Sequence, residues 1–181
     1  MSGAVPLSLL IVSGPPGAGK TTVARRMAEA SGAPAVHLHT DDFFAAIRSG
    51  FITPWLPEST AQNTTISRVI VAAAGAYAEG GFRVFIDGVV GPWFLDIYRA
   101  EAARLGLALD YLVLRPALEI AVIRARDRLV GPLADYPPNI FEGFADLGPL
   151  EGHVIDTSAL PEADVIAEID AGLAKGRFRL G

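Results

Sequence analysis

The feature that most constrains this sequence is a turn with almost no side chains, between an apolar run and a helix-like segment. Residues 14–21 read GPPGAGKT and match the pattern G-x-x-x-x-G-K-[ST] between a strand and a helix. Glycines without Cβ let successive N–H groups approach an anion, and the helix adds the positive end of its dipole. The turn therefore predicts a phosphate-binding loop made of Gly14, Pro15, Pro16, Gly17, Ala18, Gly19, Lys20, Thr21 and Thr22.

Two side chains at the end of this loop carry its chemistry. Lys20 supplies a point charge for the outer phosphates, and it is one of two lysines in a chain with thirteen arginines. An ammonium therefore stands where the pattern needs a compact cation. The Thr21 hydroxyl is suited to Mg²⁺, which usually keeps several waters and is shared with substrate phosphates. We expect Lys20 to act in catalysis and Thr21 to be a metal ligand.

The composition excludes several classes of protein. The length of 181 residues predicts a single domain, 1–181, and a 51% apolar content fits a parallel sheet buried on both faces. No apolar run approaches the roughly 18 residues of a membrane span, and the N-terminus indicates a strand rather than a signal peptide. Absence of cysteine excludes disulfides, and a net charge of −5 argues against nucleic-acid binding. We expect a cytoplasmic protein without a membrane partner.

Apolar runs alternate with helix-like segments along the chain. This alternation predicts βαβ units and an α/β fold with a mainly parallel sheet. The predicted strands are 7–13, 35–39, 83–87, 109–114 and 153–157. The predicted helices are 20–31, 42–49, 59–79, 93–105, 117–129, 138–146 and 161–174. Segment 129–149 holds four of the thirteen prolines and has the character of an insertion before the last strand.

Carboxylates follow two of the predicted strands. Asp41 and Asp42 come after the second strand, on the edge of the sheet where ligands bind in open α/β folds. One of them is suited to accept a proton from an attacking hydroxyl, and the alternative is an N-cap of the next helix. We expect one aspartate of the pair to cap the helix and the other to accept the proton or help to hold Mg²⁺. Asp87 ends the third strand, where it would orient Mg²⁺ or its waters; the alternative is a plain turn with Gly88.

A helix that is rich in arginine ends at the insertion. Arg124 and Arg128 are four residues apart and share one helical face, so their guanidinium groups are suited to a transferred phosphoryl group. The alternative is a solvated helix end whose cations complement the helix dipole. We expect Arg115 and Arg126 to be structural.

Aromatic and histidine side chains near the same edge suggest the walls of a site. Trp55 and Trp93 both follow strand ends, and their rings are suited to form the walls of a site for an organic substrate. Ordinary packing of large aromatic side chains is an equally good explanation. His37 and His153 fit structural roles, whereas His39 is closer to the edge of the sheet. The spacing of His, Asp and Glu matches no dedicated zinc site.

Taken together, these motifs resemble those of the P-loop small-molecule kinases, which include adenylate kinase, shikimate kinase, gluconate kinase and chloramphenicol phosphotransferase. The resemblance covers nearly the whole chain, although only the phosphate loop is highly specific. It implies a three-layer P-loop NTPase fold, with helices on both faces of a parallel five-stranded sheet of order 2-3-1-4-5. It also implies a short lid over about 129–146.

The resemblance assigns roles to several positions. The family's aspartate after the second strand, a base or substrate binder, falls on Asp41, and the arginines that open the lid fall on Arg124 and Arg128. The loop 157–160 is similar to the family's adenine-side loop, so Thr157 and Ser158 are expected at the base. FIDGVVGP is similar to the DG-x-P stretch of nucleoside monophosphate kinases, but its proline is later and no arginine follows. The glycine triplet of shikimate kinase is missing too.

The sequence therefore predicts a kinase that depends on ATP and Mg²⁺ and phosphorylates a hydroxyl of a small molecule. Alternatives are a nucleoside monophosphate kinase, an ATPase or switch module without an acceptor, and a polynucleotide 5′-end kinase, which the acidic charge disfavours. Absence of N-K-x-D and D-x-x-G motifs argues against a GTPase. The identity of the acceptor and the oligomeric state stay open. The expected substrate-binding residues are Asp42, Trp55, Asp87 and Trp93, and the expected metal ligands are Thr21 and Asp87.

Overall fold

Five short strands form one parallel sheet in the computed structural model, which describes residues 8–126 and 138–181. The order along the sheet is β2-β3-β1-β4-β5, and every neighbouring pair is parallel. The predicted α/β fold with strand order 2-3-1-4-5 is confirmed. The strands are β1 Ser8–Ser13, β2 Ala35–His39, β3 Arg83–Asp87, β4 Ala108–Leu114 and β5 Val154–Ile155.

Helices connect the strands and cover the sheet. The α-helices are α1 Lys20–Glu29, α2 Thr40–Ala45, α3 Thr60–Glu79, α4 Pro92–Arg104, α5 Leu118–Arg126, α6 Pro138–Glu142 and α7 Glu162–Ala174. Short 3-10 helices occupy Pro57–Ser59 and Gly148–His153. The second of these includes His153, and β5 ends at Ile155, so the strand is shorter at both ends than the predicted 153–157. Among the described residues, no helix has the length and apolar character needed to cross a membrane.

The core lies on both faces of the sheet. In β1, Leu9 and Ile11 belong to the cluster beneath α3 and α4, while Leu10 and Val12 belong to the cluster beneath α1 and α7. Successive strand residues point to opposite faces, so a strand covered by helices on both sides must be apolar at every position. This is why the strands read as continuous apolar runs.

The chain after α7 returns to the sheet, which the sequence did not predict. Phe178 is fully buried, and its carbonyl accepts a hydrogen bond from the Tyr111 amide at 2.8 Å. Arg179 pairs antiparallel with Asp110 and also forms an ion pair with its carboxylate at 2.9 Å. The tail therefore adds an antiparallel connection to β4.

The predicted lid is described only in its second half. Residues 129–137 lie outside the described ranges, and 138–146 contain α6 and the turn after it. Arg115, at the end of β4, donates hydrogen bonds to the Phe144 and Ala145 carbonyls and forms a bidentate ion pair with Glu151 at 2.8 Å. Arg115 thus fastens the return of the insertion to the sheet, in agreement with the expected structural role.

Candidate active site

The phosphate loop takes the shape that its glycines permit. Gly14, Gly17 and Gly19 have φ angles of +140°, +76° and +89°, in the region that other residues rarely adopt. A Cβ on Gly14 would lie 2.1 Å from the Leu114 carbonyl oxygen, and one on Gly17 would lie 2.1 Å from that of Ala121. The loop therefore fits closely against the end of β4 and against α5, and only glycine allows both contacts.

Lys20 is the first residue of α1 and is almost completely buried. Its Nζ donates a hydrogen bond to the Pro15 carbonyl oxygen at 2.9 Å, which holds the ammonium group across the loop. A buried ammonium at the positive end of a helix favours an anion beside it. This is the arrangement that the sequence predicted for a phosphate site.

Asp87 lies next to the loop, at the end of β3, and is fully buried. The Thr21 hydroxyl donates to Asp87 Oδ2 at 2.7 Å, and the ring nitrogens of His37 and His39 also contact the carboxylate. Burial raises the pKa of the Asp87 carboxyl, but these hydrogen bonds outweigh burial and hold it well below its usual range. Asp87 is therefore a fixed negative charge beside Thr21.

His39 joins this buried carboxylate to a second one. Its Nδ1 lies 3.1 Å from Asp87, and its Nε2 lies 3.5 Å from Asp41 Oδ2. The hydrogen bond to Asp87 raises the pKa of His39, and burial opposes this only in part. The sequence argument placed His39 near the edge of the sheet but gave it no role. Only the register of β2 against β3, which pairs His39 with Asp87, shows the link.

Asp41 stands between the phosphate loop and an open pocket. Burial raises the pKa of its carboxyl above the ordinary value, while the charges of His39 and Lys20 oppose that shift. Asp41 therefore responds to the charge of the phosphate loop, and it also lines the pocket described below. A carboxylate with a raised pKa in a cleft is a candidate for proton transfer.

The expected N-cap role for one of the two aspartates is wrong. The helix α2 begins at Thr40 and its N-cap residue is His39, so Asp41 and Asp42 both lie in its first turn. Thr40 is buried because its side chain packs against Gly88, where a Cβ would lie 1.9 Å from the Thr40 hydroxyl oxygen. This contact joins the first residue of α2 to the loop after β3 and fixes the start of the helix. Asp42 is exposed and does not line the pocket.

The loop after β3 is tied to the strand that leads into the phosphate loop. Ser13 donates a hydrogen bond to the Val90 carbonyl at 2.7 Å and accepts one from the Val90 amide at 3.1 Å. The Tyr111 hydroxyl donates to the same carbonyl at 2.9 Å. Because Val90 also lines the pocket, the pocket wall and the phosphate loop have a common support.

The pocket itself lies between α2, α3, α4 and α6, is open to solvent, and has a volume of about 110 Å³. Asp41, Trp55 and Trp93 all line it, so the structure brings together three residues that the sequence analysis placed at one edge of the sheet. Asn63, Ser67 and Tyr98 lie at its buried end. Sequence reasoning missed these three because they sit inside helices α3 and α4; the available signal was polar side chains on the buried faces of those helices.

Trp93 lines the pocket from the first turn of α4. Its side chain is half exposed, and its ring packs edge-on against Phe144 with the ring centroids 5.9 Å apart. The ring also covers two glycines, since a Cβ on Gly91 or Gly143 would lie 2.3 or 2.8 Å from it. Trp93 therefore connects the start of α4 to the return of the insertion.

The expected phosphoryl-binding arginines are described only in part. Arg124 lies on α5 and is exposed, and no ion pair joins it to another residue within 8–126 or 138–181. Arg128 lies outside the described residues. The roles of both arginines therefore stay predictions.

The loop after β5 contains the two residues expected near a base. The Ser158 hydroxyl accepts a hydrogen bond from the Ala117 amide at 2.7 Å and donates one to Asp156 at 2.5 Å. These bonds hold the loop against the start of α5. Thr157 is buried, and its hydroxyl has no partner among the described residues. The structure thus gives Ser158 a local structural contact, and base binding at this loop stays a prediction.

The donor chemistry beside Thr21 suits a magnesium ion. Mg²⁺ prefers oxygen ligands, and the Thr21 hydroxyl and the Asp87 carboxylate are adjacent oxygen donors at the end of the phosphate loop. Both Asp87 oxygens already have hydrogen-bond partners, which favours a role in orienting Thr21 or bound waters. Within the described ranges, no group of three or more His, Cys, Asp or Glu residues is arranged to hold a metal.

The sequence also matches the model of a known protein family. The family described as AAA domain matches residues 9–130, which contain the phosphate loop, Asp41, Asp87 and the pocket helices α3 and α4. The chain belongs to this AAA-domain family. No curated protein sequence matched the chain.

Solved structures with the fold of this AAA-domain protein include several kinases. A sugar kinase from Janibacter sp. HTCC2649, solved without ligand, has a TM-score of 0.69 at 20% identity, covering 93% of this chain and 95% of that one. The Deinococcus radiodurans tunicamycin resistance protein has a TM-score of 0.67 at 16% identity, with coverages of 92% and 95%. A shikimate kinase from Acinetobacter baumannii, in complex with shikimate, has a TM-score of 0.58 at 21% identity, with coverages of 93% and 94%. The predicted resemblance to the kinase fold is confirmed.

Proposed function

We propose that this protein is a kinase that transfers the γ-phosphoryl group of ATP to a hydroxyl of a small molecule bound in the pocket. One observation carries the proposal. Asp41 lines the pocket and also lies near the Lys20 ammonium of the phosphate loop; burial raises the pKa of its carboxyl, and the charges of His39 and Lys20 oppose that rise. This arrangement supports Asp41 as the proton acceptor, near both the phosphate loop and the pocket proposed for the acceptor.

The phosphate loop and Lys20 bind the triphosphate of ATP. Backbone N–H groups and the helix dipole hold the phosphates, and the ammonium offsets the charge that develops during transfer. Mg²⁺, when bound, would neutralise charge on the phosphoryl group. Thr21 would hold the ion, and Asp87 would orient Thr21 or the waters around it.

Asp41 accepts the proton of the attacking hydroxyl. His39 holds the Asp41 carboxylate by its Nε2, and Asp87 fixes His39 from the opposite side. Hydrogen-bonded support of this kind keeps a base within reach of its proton. We assign Arg124 and Arg128 to the transferred phosphoryl group, Asp42 to the rim of the acceptor site, and Thr157 with Ser158 to the base of ATP.

ADP release in the presence of candidate acceptors tests the proposal. The protein is mixed with ATP and Mg²⁺ and then with panels of sugars, nucleoside monophosphates, and aminocyclitol or phenylpropanoid antibiotics. Release of ADP that requires an alcohol, together with a phosphorylated product in mass spectrometry, supports a small-molecule kinase. Release with monophosphates alone indicates a nucleotide kinase. Hydrolysis at one rate with every addition and with none would overturn the proposal.

A further inference from the structure

We infer that the solvent-exposed face of α3 binds a second copy of this chain, with the two α3 helices antiparallel across a two-fold axis. This contact is independent of the proposed kinase activity. Asn63, Ser67 and Ile70 line the pocket from one side of α3, and the contact face is on the opposite side of the helix.

Small and apolar side chains form an exposed seam along α3. The seam consists of Thr65, Val69, Ala72 and Ala76, which lie four, three and four positions apart and are all exposed. This spacing places them in one row on the helix, and it is the spacing by which two helices pack along a common line. Because alanine ends at Cβ, Ala72 and Ala76 allow a second helix to approach closely at the centre of the row.

The exposed side of α3 carries little charge for a helix of its length. Its 20 residues include only two charged side chains, Arg68 and Glu79. Tyr77 and Phe82 extend the apolar surface at the C-terminal end of the helix, where both are exposed and their ring centroids are 5.8 Å apart. A helix face in water normally bears charged residues, whereas apolar side chains are stabilised by leaving water. This face is therefore stabilised when a partner covers it.

The two charges of α3 favour an identical partner. Arg68 and Glu79 are eleven positions apart, about three turns of helix, so they lie on the same side of the seam near its opposite ends. Within the described residues, neither forms an ion pair. A two-fold axis at the middle of the seam places Arg68 of each chain opposite Glu79 of the other, giving two reciprocal ion pairs. Parallel helices would instead place like charges together.

The size of the face limits the strength of the contact. A helix of 20 residues is about 30 Å long, and one helix pair is small beside the roughly 1,200–2,000 Å² of a standard stable interface. We therefore expect a reversible dimer with a dissociation constant on the order of 10 µM. Its population should rise with protein concentration by mass action.

Sedimentation velocity of the full chain over about 1–200 µM measures this association. We expect the weight-average mass to rise from the monomer value of 19.0 kDa toward that of a dimer. Arg68→Glu should raise the dissociation constant by about tenfold or more, because both ion pairs become repulsive. Lys175→Glu makes the same change of charge at an exposed site after α7, on the opposite face of the sheet, and should associate as wild type. A monomer throughout this range would overturn the inference.

Two complementary charge reversals test the face and the orientation together. Glu79→Arg alone should also weaken association, because it places two cations opposite each other. An equimolar mixture of Arg68→Glu and Glu79→Arg chains restores both attractive pairs, and so does the double variant by itself. Both should associate about as well as wild type. Association that neither single reversal weakens, or that the mixture or the double variant fails to restore, contradicts an antiparallel α3 contact.

A third variant tests the close approach at the centre of the seam. Ala72→Gln keeps a good helix former and occupies the space that the second helix needs, so association should be lost over the same concentrations. Ala171→Gln, at an exposed position of α7, is the matched control and should leave association unchanged. Circular dichroism verifies that both variants keep the helix content of wild type. Unchanged association of a folded Ala72→Gln protein would place the contact elsewhere and refute the inference.

Discussion

Lys20 is the residue on which phosphate binding depends most directly. Removing its buried ammonium in Lys20→Ala should weaken ATP binding by about 1.5–3 kcal/mol, since that is the range for a charge-assisted contact. Titration calorimetry with ATP and Mg²⁺ measures the loss. Lys175, the other lysine, is exposed, so Lys175→Ala is the control and should bind as wild type. Equal ATP affinity in a folded Lys20→Ala protein would refute the assignment.

Asp41 and Asp42 are adjacent in sequence and differ in environment. Asp41 is partly buried on the pocket wall, whereas Asp42 is exposed. We predict that Asp41→Asn lowers turnover by about 10²–10⁴-fold with ATP affinity little changed, because a general base contributes about that much. Asp42→Asn should cost far less. Steady-state rates and ATP affinities of both variants decide; a reversed pattern would exchange the two roles.

His39 supports Asp41, and its removal should change the pH dependence of turnover. A base works only when deprotonated, so turnover falls as pH falls through the pKa of Asp41. The charge of His39 lowers that pKa, which burial raises. In His39→Ala the acid limb of the profile should therefore move to higher pH. The control is His37→Ala, which removes a contact to Asp87 and leaves the Asp41 neighbour in place; an acid limb that moves in both variants, or in neither, would contradict this account.

At the scale of elements, the segment after α7 packs against β4 and contributes to the stability of the fold. Phe178 is fully buried, and its ring fills the space that Gly172 leaves open on α7. We predict that Phe178→Ala lowers the free energy of unfolding by about 3–5 kcal/mol, as for other large-to-small changes in cores. Chemical denaturation measures this. Phe82→Ala, at a site that is 39% exposed, should cost clearly less; equal losses would show that the tail contributes little.

At the scale of the whole molecule, one sheet carries both core clusters. The central strands β1, β3 and β4 each contribute side chains to both clusters, so the two clusters share the same strands. We therefore predict a single cooperative unfolding transition, with equal calorimetric and van't Hoff enthalpies. Differential scanning calorimetry measures both. Two resolved transitions, or a van't Hoff enthalpy well below the calorimetric one, would contradict the single domain inferred from the sequence.

Local patterns were enough to predict the phosphate loop and the strands of a parallel sheet. The phosphate loop and the strands 35–39 and 83–87 follow from short-range features, namely glycine spacing and apolar runs, which act over a few residues. The order 2-3-1-4-5 came from the resemblance to kinases. The start of α2 was misjudged because Thr40 is fixed by its contact with Gly88, a residue 48 positions away along the chain.

The sequence by itself determined a phosphate loop, a parallel sheet and a set of polar residues at one edge of that sheet. Only the tertiary structure decided how those residues combine. The register of β2 against β3 placed His39 between Asp87 and Asp41, and the packing of α3 against α4 brought Asn63 to the pocket of Trp55 and Trp93. The physical reason is distance along the chain. Periodicity in the sequence predicts whether a side chain lies on the buried or the exposed face of its element. It does not predict which side chains from distant segments will contact it.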